Sequence, residues 1–127
     1  MRRTVVLLHQ QPGKPDHFDW LIDQPELKIE HRLITFRLPS PPDQPGIFVA
    51  QQAPDHRAHY LTHQGPIGKD RGTVARVLTG QAKAFHHDAQ TLHASIDWGH
   101  TQVLINANRS AEHPDQWHLR IGLCSPL

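Results

Sequence analysis

Short apolar runs rich in β-branched residues recur along this chain, and clusters of Pro, Gly, Asp or Asn cut them roughly every ten residues. Runs cut so often leave no room for helices of ordinary length, so the chain is held to strands joined by short loops. Eleven prolines sharpen the limit, because proline cannot donate to a β-ladder and fixes its own φ. Strands are expected at residues 4–9, 17–23, 32–38, 47–52, 59–63, 72–78, 83–87, 91–97, 102–106 and 116–123. Several alternate cleanly: Leu92, Ala94 and Ile96 oppose His93, Ser95 and Asp97, while Trp117, Leu119 and Ile121 oppose His118, Arg120 and Gly122. Residues 25–31 offer one helical turn, with Pro25 at its start and Glu26 near its positive end. Arg71-Gly72-Thr73 and Thr79-Gly80 read as turns. So many strands in so short a chain remove their exposed edges most economically by closing. The expected fold is therefore all-β: a small closed or partly open antiparallel β-barrel with at most one or two short helices.

A chain of 127 residues supports one core and does not divide comfortably into two, so residues 1–127 are expected to form a single domain. Thirteen Lys and Arg against twelve Asp and Glu leave a net charge of +1. That balance excludes a protein that holds nucleic acid mainly by broad phosphate neutralisation, and any such contact should be local. Cys124 is alone, which rules out an internal disulfide framework and a CxxC zinc motif. The opening MRRTVVLLHQ has too short an apolar run, Val5 to Leu8, for a signal peptide or a membrane span, and reads as a first strand. The expectation is a cytoplasmic monomer with no membrane association.

Twelve histidines are several times ordinary usage, and their placement carries the chemistry. In His17-Phe18-Asp19-Trp20, residues two apart project from one face of a strand, so His17 and Asp19 face the same way while Phe18, Trp20 and Ile22 anchor the opposite face. A neutral nitrogen ligand beside an anionic oxygen suits manganese, zinc or ferrous iron and leaves positions for water and substrate. His9 is the leading third ligand. It ends the preceding strand, and the QQPGKPD loop can return the chain antiparallel so that His9 and His17 flank one end of a hairpin.

His56 and Tyr60 lie in PDHRAHYLTH. Four residues along an extended strand separate side chains by roughly 13 Å, so irregular backbone at residues 55–58 is needed before both can reach one phosphate group. With that bend, His56 can protonate a leaving alkoxide and Tyr60 can donate to a phosphoryl oxygen. Lys69, Arg71 and Arg76 are candidates for steering a phosphate. The remaining histidines read as strand faces or loops, and Trp20, Trp98 and Trp117 as core.

These residues together resemble the 3′-phosphoesterase domain found at the start of bacterial DNA ligase D and its small stand-alone relatives. The family pattern runs from a histidine ending the first strand, through H-[YFW]-D, an aromatic strand closed by proline and D-H-x-x-x-Y, to G-T-V and a later glycine. Here it reads His9; His17-Phe18-Asp19; Phe36 with Pro39; Asp55-His56 and Tyr60; Gly72-Thr73-Val74 with Gly80. The resemblance spans about residues 5–85. It implies a compact barrel with manganese, or else zinc or iron, on His9, His17 and Asp19, and with His56 and Tyr60 as catalytic residues. The implied activity is removal of a 3′-phosphate or 3′-terminal ribonucleoside from nucleic-acid 3′ ends in DNA repair, beside a DNA ligase or repair polymerase.

Three departures bear on that activity. The family's arginine two residues after the metal-binding aspartate is Leu21, its lysine after the strand-closing proline is Ser40, and the His9 to His17 interval is longer by two. The alternative reading is a non-catalytic or weakly active metal-containing module that binds 3′ ends or a repair partner. A ferrous oxygenase built on a facial triad ranks last, since the chain leaves little room for a co-substrate pocket.

Overall fold

The structure, a computed structural model, describes residues 1–124. The elements are β1 (Arg2–Gln10), β2 (His17–Asp23), β3 (His31–Leu38), β4 (Gly46–Arg57), a 3-10 turn (Ala58–Leu61), β5 (Gly65–Pro66), β6 (Thr73–His87), β7 (Thr91–Asp97), β8 (Gln102–Arg109) and β9 (Gln116–Leu123). Strands β1-β2-β3-β4-β9-β8-β7-β6 are hydrogen-bonded in that order, and β6 returns to β1 to close an antiparallel barrel. Strand β5 lies outside the ring and pairs with the start of β6. The expected all-β barrel is what the chain forms. Among the described residues no helix is long and apolar enough to cross a membrane.

Strict alternation decides which residues fill the barrel. Trp20, Ile22, Ile34, Phe36, Ile96, Val103, Ile105, Trp117 and Leu119 point inward and are almost wholly buried. Trp20 packs on Phe36 at 5.7 Å between ring centres, and Phe36 meets the edge of Trp117 at 5.5 Å. Their polar ends are satisfied, Trp20 Nε1 donating to Thr4 Oγ1 at 2.8 Å and Trp117 Nε1 to Gln52 Oε1 at 2.9 Å. The interior of an eight-stranded barrel has room for side chains or at most one small ligand, and here aromatic rings fill it. Binding chemistry must therefore sit on the outer wall or the rim.

A second apolar layer covers part of the outer wall. Val5, Leu7, Leu21, Leu33 and Val74 face outward, and Leu61, Tyr60 and Ile67 of the β4–β6 connection close over them. This cap explains one departure from the sequence reading. Residues 59–63 were expected as a strand, but the chain leaves the ring after Arg57 and turns in a 3-10 conformation, which lays Leu61 on the apolar layer.

The expected strands at 72–78 and 83–87 are one strand, β6, with irregular pairing between Lys83 and His86 and a positive φ at Ala84. Thr79-Gly80 is not a turn. Gly80 stays in the ladder because a Cβ there would stand 2.5 Å from the Asp97 carbonyl oxygen and 2.7 Å from Trp98 Cε3. Residues 25–30 form turns and bends and no helix, and His31 already begins β3. Arg2 ties Glu26 to the barrel instead, donating twice to its carboxylate at 3.0 Å and once to the Asp23 carbonyl oxygen at 2.7 Å.

Candidate metal centre

The β1–β2 hairpin sets the centre. His9 pairs directly with His17, and Leu7 with Asp19, so the two imidazoles lie opposite one another on the outer wall. Cross-strand partners there stand about 4.5–5.5 Å apart at Cβ, and the carboxylate two residues along His17's own strand completes the group. His9 Nδ1 lies 3.1 Å from His17 Nε2 and 3.7 Å from Asp19 Oδ2, while His17 Nε2 lies 3.4 Å from Asp19 Oδ1. One ligand atom from each residue falls within 4.8 Å of the other two. Separations near 3–4 Å are those of adjacent donors around a shell of about 2.0–2.2 Å radius. The three side chains are only 11%, 13% and 6% exposed.

Two further observations fit a cation. Among the described residues Asp19 Oδ1 has no hydrogen-bond partner although it is buried, which for a carboxylate oxygen is costly unless something positive meets it. His9 Nε2 lies 2.8 Å from the Arg71 carbonyl oxygen. A carbonyl only accepts, so Nε2 carries the proton and Nδ1 turns its lone pair to the centre, as second-layer carbonyls commonly arrange for metal-bound histidine. Burial pushes the His17 pKa below its ordinary value, with Arg37 and His9 adding to the effect and Asp19 opposing it. That direction favours the neutral form a metal ligand needs.

Gly72 makes the Arg71 contact possible. Its φ is +90°, and any Cβ would overlap the backbone of Gln10, so the β5–β6 loop can lie against the end of β1 only with glycine there.

His56 and Tyr60 come together as the sequence suggested. The β3–β4 register slips between Leu33 and Thr35, a bulge at residues 54–55, and the 3-10 turn follows. The two ring centres stand 5.6 Å apart. His56 Nδ1 lies 2.9 Å from the Pro54 carbonyl oxygen and 3.0 Å from Thr35 Oγ1, whose hydroxyl donates to the Leu33 carbonyl. Both partners therefore accept from an Nδ1–H, which leaves Nε2 free. Thr35 is the diagonal neighbour of Asp19 across β2 and β3, about 7–8 Å away at Cα.

Glu30, His31, Pro54, Asp55, His56, Arg57, Tyr60 and Arg71 line a cleft of about 510 Å³ here. Arg71 joins the two parts: its carbonyl supports His9, the residue lines the cleft, and its Nη2 donates to the Ile67 carbonyl oxygen at 2.8 Å. Of the other candidate steering cations, Arg76 donates to the Leu61 carbonyl at 3.1 Å and so holds the cap. Lys69 sits at an exposed turn tip with positive φ.

Three residues escaped the sequence reading: Thr35, Arg37 and the carbonyl of Arg71. The alternation Phe36-Arg37-Leu38 was a usable sign for Arg37, since two inward apolar neighbours force it outward. Its place opposite Asp19 required the strand register. Fold and site together define an all-β barrel with a candidate metal centre on its outer wall. Comparison with protein-family models and with curated proteins finds no match to this chain.

Proposed function

We propose that the protein is a metal-dependent phosphoesterase that processes nucleic-acid 3′ ends, removing a 3′-phosphate or a 3′-terminal ribonucleoside. The observation that carries the reading is the convergence of His9, His17 and Asp19 beside a cleft holding His56 and Tyr60. The order of motifs along the chain, in the pattern of the DNA ligase D 3′-phosphoesterase domain, supplies the substrate class. A divalent ion on the three ligands, manganese foremost, would supply Lewis-acid polarisation of a phosphoryl oxygen and an activated water. The protein's own groups do the rest. Tyr60 donates its hydroxyl proton to a nonbridging oxygen, and Arg71 lends positive charge from the cleft wall. Acting as general acid in its doubly protonated form, His56 would keep Nδ1–H on the Thr35 and Pro54 oxygens and give its Nε2 proton to the departing alkoxide as water adds to phosphorus and the ester bond breaks, the proton released by that water passing to solvent.

The decisive assay is removal of a 3′-phosphate or 3′-ribonucleotide from a short duplex in manganese, with His17→Ala beside the wild type. Activity should fall to background in the variant, and unchanged turnover there would reject the assignment. A second reading, a non-catalytic end-binding module, is favoured by Leu21. That residue is fully buried in the outer apolar layer, so no cation stands two residues beyond Asp19. Tight binding of 3′ ends with no turnover in manganese, zinc or iron would select that reading.

A further inference from the structure

A second recess borders the centre on the side of the β1–β2 loop. It measures about 310 Å³ and is lined by Gln11, Lys14, Pro15, Asp16, His17 and Arg37. Two cations reach it from different elements, Lys14 from the loop and Arg37 from β3. Its acid, Asp16, already accepts from Gln10 Nε2 at 3.2 Å. Arg37 stands directly across from Asp19, yet its Nε is 3.9 Å from Oδ1, longer than a hydrogen bond, and its side chain is 52% exposed. A guanidinium so placed keeps its planar fork available for a tetrahedral oxyanion.

The position of this recess sets what it can hold. His17 is the shared wall: its Nε2 faces His9 and Asp19, and the residue also lines the recess. The larger cleft lies toward the other end of β3, with His31 in its lining, six residues from Arg37 or about 20 Å along the strand. Cationic residues therefore line both sides of the centre: on one, Arg57, paired with Glu30 at 3.8 Å, and Arg71, which donates to the Ile67 carbonyl oxygen; on the other, Lys14 and Arg37. A small phosphate monoester has one anionic group and can use one side only. A polynucleotide end carries a phosphate at every step.

We propose that Lys14 and Arg37 form a second anion subsite, which holds the phosphate adjoining the one being processed and makes the protein select polynucleotide ends over small phosphate esters. The subsite rests on the phosphoesterase reading and extends it to substrate choice. It also supplies cationic contact that Leu21 and Ser40 do not.

The test uses two oligonucleotides ending in a 3′-phosphate, one native and one whose adjoining linkage is an uncharged methylphosphonate. Manganese-dependent kcat/KM is measured for the wild type, Lys14→Gln, Arg37→Gln and the double variant, with thermal melts to confirm folding. Neutralising the linkage should cost the wild type about tenfold, mostly in KM, and each single variant less. In the double variant the native and neutral substrates should be processed equally. Turnover without a penalty in the wild type, or a penalty undiminished in the folded double variant, overturns the subsite and leaves the phosphoesterase reading standing. Failure of the wild type to bind or process either oligonucleotide overturns both.

Discussion

At Asp19 the interests of stability and of binding oppose each other. Its carboxylate is 6% exposed, and one oxygen has no hydrogen-bond partner, so in the metal-free protein it is a desolvated charge among two imidazoles and a distant guanidinium. An unsatisfied buried polar group costs about 1–3 kcal/mol, more when charged. Asp19→Asn keeps the shape and removes the charge. The metal-free variant should melt no lower than the wild type, and higher by an amount corresponding to about 1 kcal/mol. Added manganese should then raise the wild-type Tm, by the equivalent of about 2.7 kcal/mol at a hundredfold excess over Kd, and leave the variant unmoved. Differential scanning calorimetry with and without chelator checks both halves. A variant that melts well below the wild type in chelator would mean that Asp19 is a structural residue and the centre no cation site.

At the scale of elements, β6 shows how a glycine can be read for the wrong reason. Gly80 suggests a turn by composition, yet it lies in the middle of a continuous strand, where Trp98 and the Asp97 carbonyl oxygen occupy the space a Cβ would need. Gly80→Ala would force that neighbouring turn outward and strain the ladder that closes the barrel on β1. A loss of about 1–3 kcal/mol is expected, read as a lower denaturant midpoint with an unchanged slope. A midpoint within error of the wild type would show that the turn after β7 yields freely. The same contrast explains what was legible in the chain. Elements stabilised by their own alternation, such as β7 and β9, were readable because burial of one face is a local pattern. The His9, His17 and Asp19 group was readable because a single hairpin builds it. The cap over Val5, Leu7 and Leu21 was not, since outward apolar residues announce a partner without naming the distant segment that provides it. Thr35 and Arg37 were hidden likewise: their roles come from register between β2, β3 and β4, and a one-residue slip would reverse them.

Across the whole molecule, the histidines that are abundant in the sequence divide by burial, and that division sets how the barrel responds to acid. His87, at the end of β6, packs beside Phe85 and Trp117 with ring centres 6.2 Å away in each case. Burial pushes its pKa below the ordinary value, His86 and Arg109 push it the same way, and Asp55 and Asp88 oppose them. The unfolded chain therefore takes up a proton near the ordinary imidazole value of about 6.5 that the folded chain refuses until lower pH. Stability is complete above that value and declines as pH falls through the folded one. A second window opens further down. Asp88 accepts from the Gln90 and Thr91 backbone N–H groups at 2.8 Å and from His86, which hold its carboxyl well below the usual carboxylate range. Those bonds close the turn from β6 to β7, and their stability is lost as pH falls below the ordinary aspartate value of about 3.9. Metal-free protein should thus lose Tm in two stages, and His87→Phe, which keeps the contact with Trp117 and removes the proton, should make the first shallower, His17 supplying the remainder, while leaving the second in place. An equally steep first stage in that variant would assign the acid response to other histidines. Loss of the second stage in the same variant would show that the β6–β7 turn and the barrel rim unfold as one unit.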